Sequence, residues 1–261
     1  MKQRTLTSVV LALLSMVQLG CFHLPWVPQL IAILLGCGAV WEILGANGIR
    51  NKGSYAAGLF LAVIIPLFSL TEKVWWMAAA LVLGLGFFTY LMTRIGKQAP
   101  AWVAAPEIVL ALSLYRGLAC YGEIPHGAFF LCLTGLICAL TDIFAYLVGS
   151  RFGRHKLAPK VSPGKSIEGA LGGLGVTVVL IALVFGRFFD DIGTLVLYTA
   201  VVSILGQFGD LSMSAVKRVA GVKDFGHIFP GHGGILDRCD SLMYPLAFTW
   251  LLYCAQIWIF V

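Results

Sequence analysis

A chain of 261 residues that is 59% hydrophobic and only 11% charged, with mean hydropathy +0.92, carries too much apolar surface for a water-soluble domain. Its net charge of +6 calls for no nucleic-acid partner, because membrane topology and anionic lipid account for a balance of that size. The seven cysteines form no CxxC pair and lie mostly in apolar runs, where Cys behaves as a small hydrophobe, so neither a disulfide framework nor a structural zinc is expected.

Nine apolar runs have the length that a bilayer core requires. They lie near 5–22, 25–46, 54–71, 74–93, 100–119, 126–149, 167–188, 192–217 and 241–261. The first follows Met1–Arg4 and imitates a secretory signal, but no small-x-small cleavage site follows, so it is read as a retained helix. With nine spans, the N-terminus and the loops after spans two, four, six and eight share one side, together with fifteen Lys and Arg residues. The other side carries only Lys73, Arg116 and Arg187. The positive-inside bias makes the first side cytoplasmic and turns Val261 away from it. The expected fold class is an all-α, polytopic integral membrane protein of the cell membrane, with about nine transmembrane helices and a cytoplasmic N-terminus.

Residues 1–119 read as a transmembrane scaffold. Residues 120–261 read as the catalytic region, with cytoplasmic loops 150–167 and 218–240. In the scaffold, Glu42 and Glu107 are intramembrane or nearly so. Each either points into a polar cavity or is a hydrogen-bonded helix residue, and the sequence leaves both open.

The sixth span ends in LTDIFAYLVGS, with Asp142 roughly 12 Å below Ser150 at 1.5 Å per residue. A carboxylate at that depth needs water, a cation or a partner. The loop RFGRHKLAPKVSPGKSIEG follows, and its Ser162, Gly164, Lys165 and Ser166 offer hydroxyls, flexible backbone and an ammonium just before a helix, a setting that favours anions. It is not a P-loop, because Pro159 occupies the first glycine position and a helix rather than a strand precedes it. Glu168 suits the positive end of the next helix. Gly169, Gly172, Gly173 and Gly175 predict close helix packing rather than chemistry.

In the eighth span, Ser203, Gln207, Ser214 and Lys217 fall within about 60° of Asp210 at the helical period, giving one polar stripe on an apolar helix. A ligand between Asp210 and Lys217, or a neighbouring helix, would explain the stripe. Ten ionisable side chains crowd into the 31 residues from Asp210 to Asp240. The glycines of PGHGG suit a loop wrapped round phosphate with His232 beside it, whereas His227 is read as structural. If the loop folds back over the eighth span, Asp210 meets Asp237 and Asp240 in an oxygen-rich site suited to Mg²⁺ and substrate phosphates. Lys217, Arg218, Lys223 and Arg238 would then neutralise a polyphosphate. Phosphoryl-transfer chemistry at a cytoplasmic membrane face follows, with no obvious covalent nucleophile.

The run S-A-V-K-R-x4-K-D-x-G-x2-F-P-G-H-G-G-I-L-D-R-C-D, from Ser214 to Asp240, closely resembles the signature of phosphatidate cytidylyltransferases, also called CDP-diacylglycerol synthases. TDIFAYLVGSRFG and HKLAPKVSPGKSIEGALGG, within 141–173, resemble that family's second characteristic region. The resemblance is specific over about 141–246 and topological before it. It implies an all-helical membrane homodimer, with a cavity open to cytoplasm and membrane, that converts CTP and phosphatidate to CDP-diacylglycerol and pyrophosphate. The implied cofactor is Mg²⁺, with K⁺ a candidate for a second metal position. By motif position, the metal ligands are Asp210, Asp237, Asp240 and Asp142. The catalytic set is Lys217, Arg218, Lys223, Asp224, His232 and Arg238, and the substrate-binding set is Ser162, Lys165, Ser214, Gly233 and Gly234. Met213 departs from the pattern, standing where many members carry Glu. Cys239 replaces a bulkier apolar residue, and Ser166-Ile167 replaces the commoner Thr-Trp. Two other readings fit such a chain: a CTP-dependent lipid kinase attacking the γ-phosphorus, and a transporter whose polar groups line an ion path.

Overall fold

The computed structural model describes residues 20, 24, 26–67, 74–95, 104–226, 228 and 233–256. The first apolar run, near 5–22, lies almost wholly outside them. Each of the other eight carries a helix. These are α1 (Trp26–Ala46), α2 (Lys52–Leu67), α3 (Val74–Arg94), α4 (Ala104–Cys120), α5 (Gly127–Phe152), α6 (Ile167–Phe185) and α7 (Ile192–Val219), then the short α8 (Leu236–Cys239) and α9 (Met243–Cys254). Four of the described helical segments, Trp26–Ala46, Gly127–Phe152, Ile167–Phe188 and Ile192–Val219, are long and apolar enough to cross a membrane. Large apolar side chains such as Ile143, Leu171, Leu183, Leu197 and Ile204 stand exposed on α5, α6 and α7. Lipid, not water, is the solvent for such a surface.

Helix α1 packs on α2 and α4, while α5, α6 and α7 pack on one another; α9 lies against both α4 and α7 and joins the two groups. Polar side chains pin these contacts. The Thr134 hydroxyl meets Tyr198 Oη at 2.7 Å, and Tyr198 Oη meets Thr249 Oγ1 at 2.9 Å, tying α5, α7 and α9 together. Thr141 donates to Ser203 at 2.9 Å and links α5 to α7.

The two charged side chains of α4 both have partners. Arg116 Nη1 donates to the Ile65 and Pro66 carbonyls at 3.2 and 2.9 Å, satisfying acceptors left over at the end of α2. Glu107 Oε2 accepts from Asn47 Nδ2 at 2.9 Å.

The α5–α6 contact is the close approach expected of the small residues, with one exception. A methyl on Gly169 would meet Ala145 O at 2.6 Å, and one on Gly173 would meet Thr141 O at 2.6 Å. Gly175 faces open space, with nothing within 4 Å of its would-be Cβ. Gly173→Leu is therefore expected to destabilise the protein by about 1–3 kcal/mol through overpacking, whereas Gly175→Leu leaves the melting temperature in detergent near the wild-type value.

Between α5 and α6 the chain is not helical. Lys156–Ala158 (β1) and Ser162–Ser166 (β2) form an antiparallel hairpin pairing Lys156 with Ser166 and Ala158 with Ser162. The SPGKS segment is thus the second strand of a hairpin. Ser166 closes it and caps α6, accepting from Gly169 N at 3.1 Å. Glu168 latches the hairpin from the first turn of α6, accepting the Arg154 and His155 N–H groups and meeting His155 Nδ1 at 2.5 Å.

Candidate active site

The polar stripe of α7 divides into two parts. Ser203 and Gln207 face neighbouring helices, Gln207 Nε2 donating to Ala170 O at 3.3 Å. Nearer the C-terminal end, Ser214 Oγ donates to Asp210 Oδ1 at 3.3 Å. The other Asp210 oxygen forms an ion pair with Lys165, which reaches across from β2. The hairpin and α7 thus meet at Asp210.

The chain after α7 folds back over it. The Asp240 carbonyl sits where a side chain at Gly209 would have to go, so this glycine admits the returning backbone. Asp237 is buried and held at both oxygens: Oδ1 accepts Lys217 Nζ at 2.7 Å, and Oδ2 accepts Phe225 N and Gly234 N, each at 2.9 Å. Burial alone would raise the Asp237 carboxyl, but Lys217 and the two N–H donors together hold it below the ordinary carboxylate range. Burial, with the Asp210 charge adding, pushes the Asp240 carboxyl up to about 7.

Two cavities result. One, of about 470 Å³, is lined by Asp142, Asp210, Lys217, Asp224, Asp237, Arg238 and Asp240 on its polar walls. The other, of about 510 Å³, is lined by Ser162, Gly164, Lys165 and Ser166 of the hairpin and by Tyr146 and Ala145 of α5. Asp142 and Asp210 belong to both. They stand at the junction.

The remaining expected residues are placed differently. Arg218 turns to backbone, its Nε donating to Val161 O at 3.1 Å and Nη1 to Val222 O at 3.3 Å, so it holds the hairpin to the end of α7. Lys223 is exposed and lines neither cavity. Gly233 and Gly234 lie against carboxylates of the chain itself: a methyl on Gly233, whose φ is +87°, would meet Asp237 Oδ2 at 2.8 Å, and one on Gly234 would collide with Glu42. The Gly234 N–H goes to Asp237 rather than outward. Met213 is buried in the core, so the acid missing from the motif is replaced by packing. His227 and His232 lie outside the described residues.

Of the two acids that the sequence leaves open, Glu42 is the one that reaches the site. Its carboxylate, on α1, accepts Ile235 N at 2.7 Å and Leu236 N at 2.9 Å at the start of α8. The sequence signal was an acid inside an apolar helix; its partners, almost 200 residues away, were not readable.

For a divalent cation, the fit is with a shared rather than a closed site. Among the described residues no group of three His, Cys, Asp or Glu side chains is arranged to enclose a metal. Mg²⁺ does not require one, because it binds through one or two carboxylates plus substrate phosphates and keeps several waters. Asp142, Asp210 and Asp240 all line the first cavity and fit that mode. Asp237 lines the same cavity, but Lys217 and two N–H groups already hold its oxygens, so of the four it has the least free capacity for an ion.

Comparison with known proteins agrees along nearly the whole chain. The model of the family described as "Cytidylyltransferase family" matches residues 2–255. The chain is 37% identical to the phosphatidate cytidylyltransferase of Staphylococcus haemolyticus over 257 residues, covering 94% of this chain and 96% of the relative. It is 36% identical to that of Staphylococcus epidermidis strain RP62A and 35% identical to that of Staphylococcus aureus strain COL, with the same coverage in both cases.

Proposed function

The chain belongs to the cytidylyltransferase family, and we propose that it transfers a cytidylyl group from CTP to phosphatidate, giving CDP-diacylglycerol and pyrophosphate. The observation that carries this reading is the pair of cavities meeting at Asp142 and Asp210. A reaction between a water-soluble nucleotide and a lipid phosphate needs two compartments that share one point.

CTP is assigned to the acid-lined cavity, where Arg238 would neutralise its triphosphate and Asp142, Asp210 and Asp240 would hold Mg²⁺. When bound, Mg²⁺ would supply positive charge at the phosphate oxygens. Phosphatidate is assigned to the hairpin cavity, its phosphate beside Ser162 and Lys165 and its acyl chains leaving past Tyr146 towards lipid. The phosphatidate oxygen forms a bond to the α-phosphorus of CTP while the bond from that phosphorus to the bridging oxygen breaks. Pyrophosphate leaves with the electron pair. A phosphate monoester is ionised near neutral pH, so no strong base is needed. Lys165 offsets charge where the two phosphates approach, and Lys217 and Asp237 keep the loop wall in place.

The same reading includes nine spans with a cytoplasmic N-terminus, an active site facing the cytoplasm, K⁺ as candidate second ion, and a homodimer. Fifteen Lys and Arg residues on one side support the orientation.

Purified protein given phosphatidate and CTP labelled at either the α- or the γ-phosphorus tests the reaction. α-Label is expected in the lipid, with pyrophosphate released. γ-Label in the lipid, with CDP released, would instead mean a kinase. Lys165→Met is expected to lower kcat/KM for phosphatidate by about 10²-fold, measured by initial rates at saturating CTP.

A further inference from the structure

We propose that Glu42 is a positioning residue for cytidylyl transfer: from scaffold helix α1 it holds the turn that presents Asp237, Arg238 and Asp240 to the acid-lined cavity. The residue is 3% exposed, and each carboxylate oxygen accepts one backbone N–H, Ile235 at 2.7 Å and Leu236 at 2.9 Å. Asp237 and Arg238 follow directly on Leu236.

The loop is shaped around this carboxylate. A methyl on Gly226 would meet Glu42 Oε1 at 2.8 Å, and one on Gly234 would collide with the same group. These two glycines of the signature therefore admit an acid from the other half of the chain. One turn earlier on α1, Gly38 leaves the space that the Ile235 side chain fills, since a methyl there would strike Ile235 Cδ1. Helix α1 thus grips the start of α8 by a side chain and by two N–H groups. On its far side the turn is held by the Lys217–Asp237 ion pair. Helix α1 is then part of the catalytic apparatus rather than a passive support.

Chemistry makes the requirement specific. A carboxylate accepts at both oxygens, whereas the amide of Gln accepts at one and turns a donor towards the second N–H. Loss of alignment at a supporting position commonly costs about 10–100-fold.

The test uses full-length protein purified in detergent, with kcat and both KM values expressed per folded enzyme. Glu42→Gln is expected to lower kcat about 10–100-fold and raise KM for CTP, leaving KM for phosphatidate unchanged because the hairpin is untouched. Glu42→Asp keeps both acceptors on a shorter arm and is expected to recover part of the loss. Gly234→Ala presses on the same carboxylate from the loop side and should reproduce the kcat defect, so it carries the test if Glu42→Gln does not fold. Glu107→Gln removes another buried acid of the scaffold that bonds Asn47 and not the loop. It is expected to shift the melting temperature without changing kcat. Wild-type kinetic constants in Glu42→Gln, or an equal kcat loss in Glu107→Gln, would overturn the proposal. The CTP effect rests on placing the nucleotide in the acid-lined cavity. Failure of the wild type to form CDP-diacylglycerol would strike that reading instead, so the two failures are separable.

Discussion

Asp210→Asn is expected to lower cytidylyl transfer by about 10²–10³-fold while leaving the protein folded. Asp210 lines both cavities and pairs with Lys165, so its charge acts where nucleotide and lipid phosphate would meet. The side chains of this pair remain 27% and 25% exposed, and a pair of that kind contributes at most about 1 kcal/mol to stability. Asn also keeps an oxygen to accept from Ser214. Initial rates and thermal melts on the same preparation check the expectation. A large rate loss with a melting temperature near wild type supports it; full activity removes Asp210 from the site.

Asp237→Ala is expected to do the reverse, destabilising the protein by about 3–5 kcal/mol and losing activity as a consequence. The substitution leaves the Lys217 ammonium buried without a counter-charge and the Phe225 and Gly234 N–H groups without an acceptor. A residue that served only as a metal ligand would leave the melting temperature almost unchanged. Acid should discriminate further. Because the folded Asp237 carboxyl lies below its ordinary value, its contribution is present above about pH 4 and is lost as pH falls through the folded value. Melting temperature measured against pH should therefore show a smaller acid-induced fall in Asp237→Ala than in the wild type.

These two carboxylates show where sequence reading reaches and where it stops. Both stand out as acids in an apolar chain, and the helical period places Asp210 on one face with Ser214 and Lys217 without any structure. The period cannot say that Lys165 reaches Asp210 from the hairpin, or that Lys217 pairs with Asp237, because those contacts depend on how the loop closes. The helices were legible because a run of apolar residues of bilayer length has few alternatives. The hairpin was not, because three- and five-residue strands carry too little pattern beside a long apolar helix. Glycine gave the least certain signal. Gly169 and Gly173 are where helices touch, Gly175 meets nothing, and Gly226 and Gly234 admit Glu42. Sequence composition alone treats all of them alike.

The assignment of chemistry to the junction of the two cavities meets its most direct test in a crystal structure of the protein with Mn²⁺ and a non-reactive CTP analogue, using the anomalous signal to locate the ion. The expected result is a peak bonded to Asp210 or Asp142, with the nucleotide phosphates beside Arg238 and the Lys217–Asp237 pair intact. A peak coordinated by Asp237 with that pair broken, or nucleotide bound away from both cavities, would contradict it.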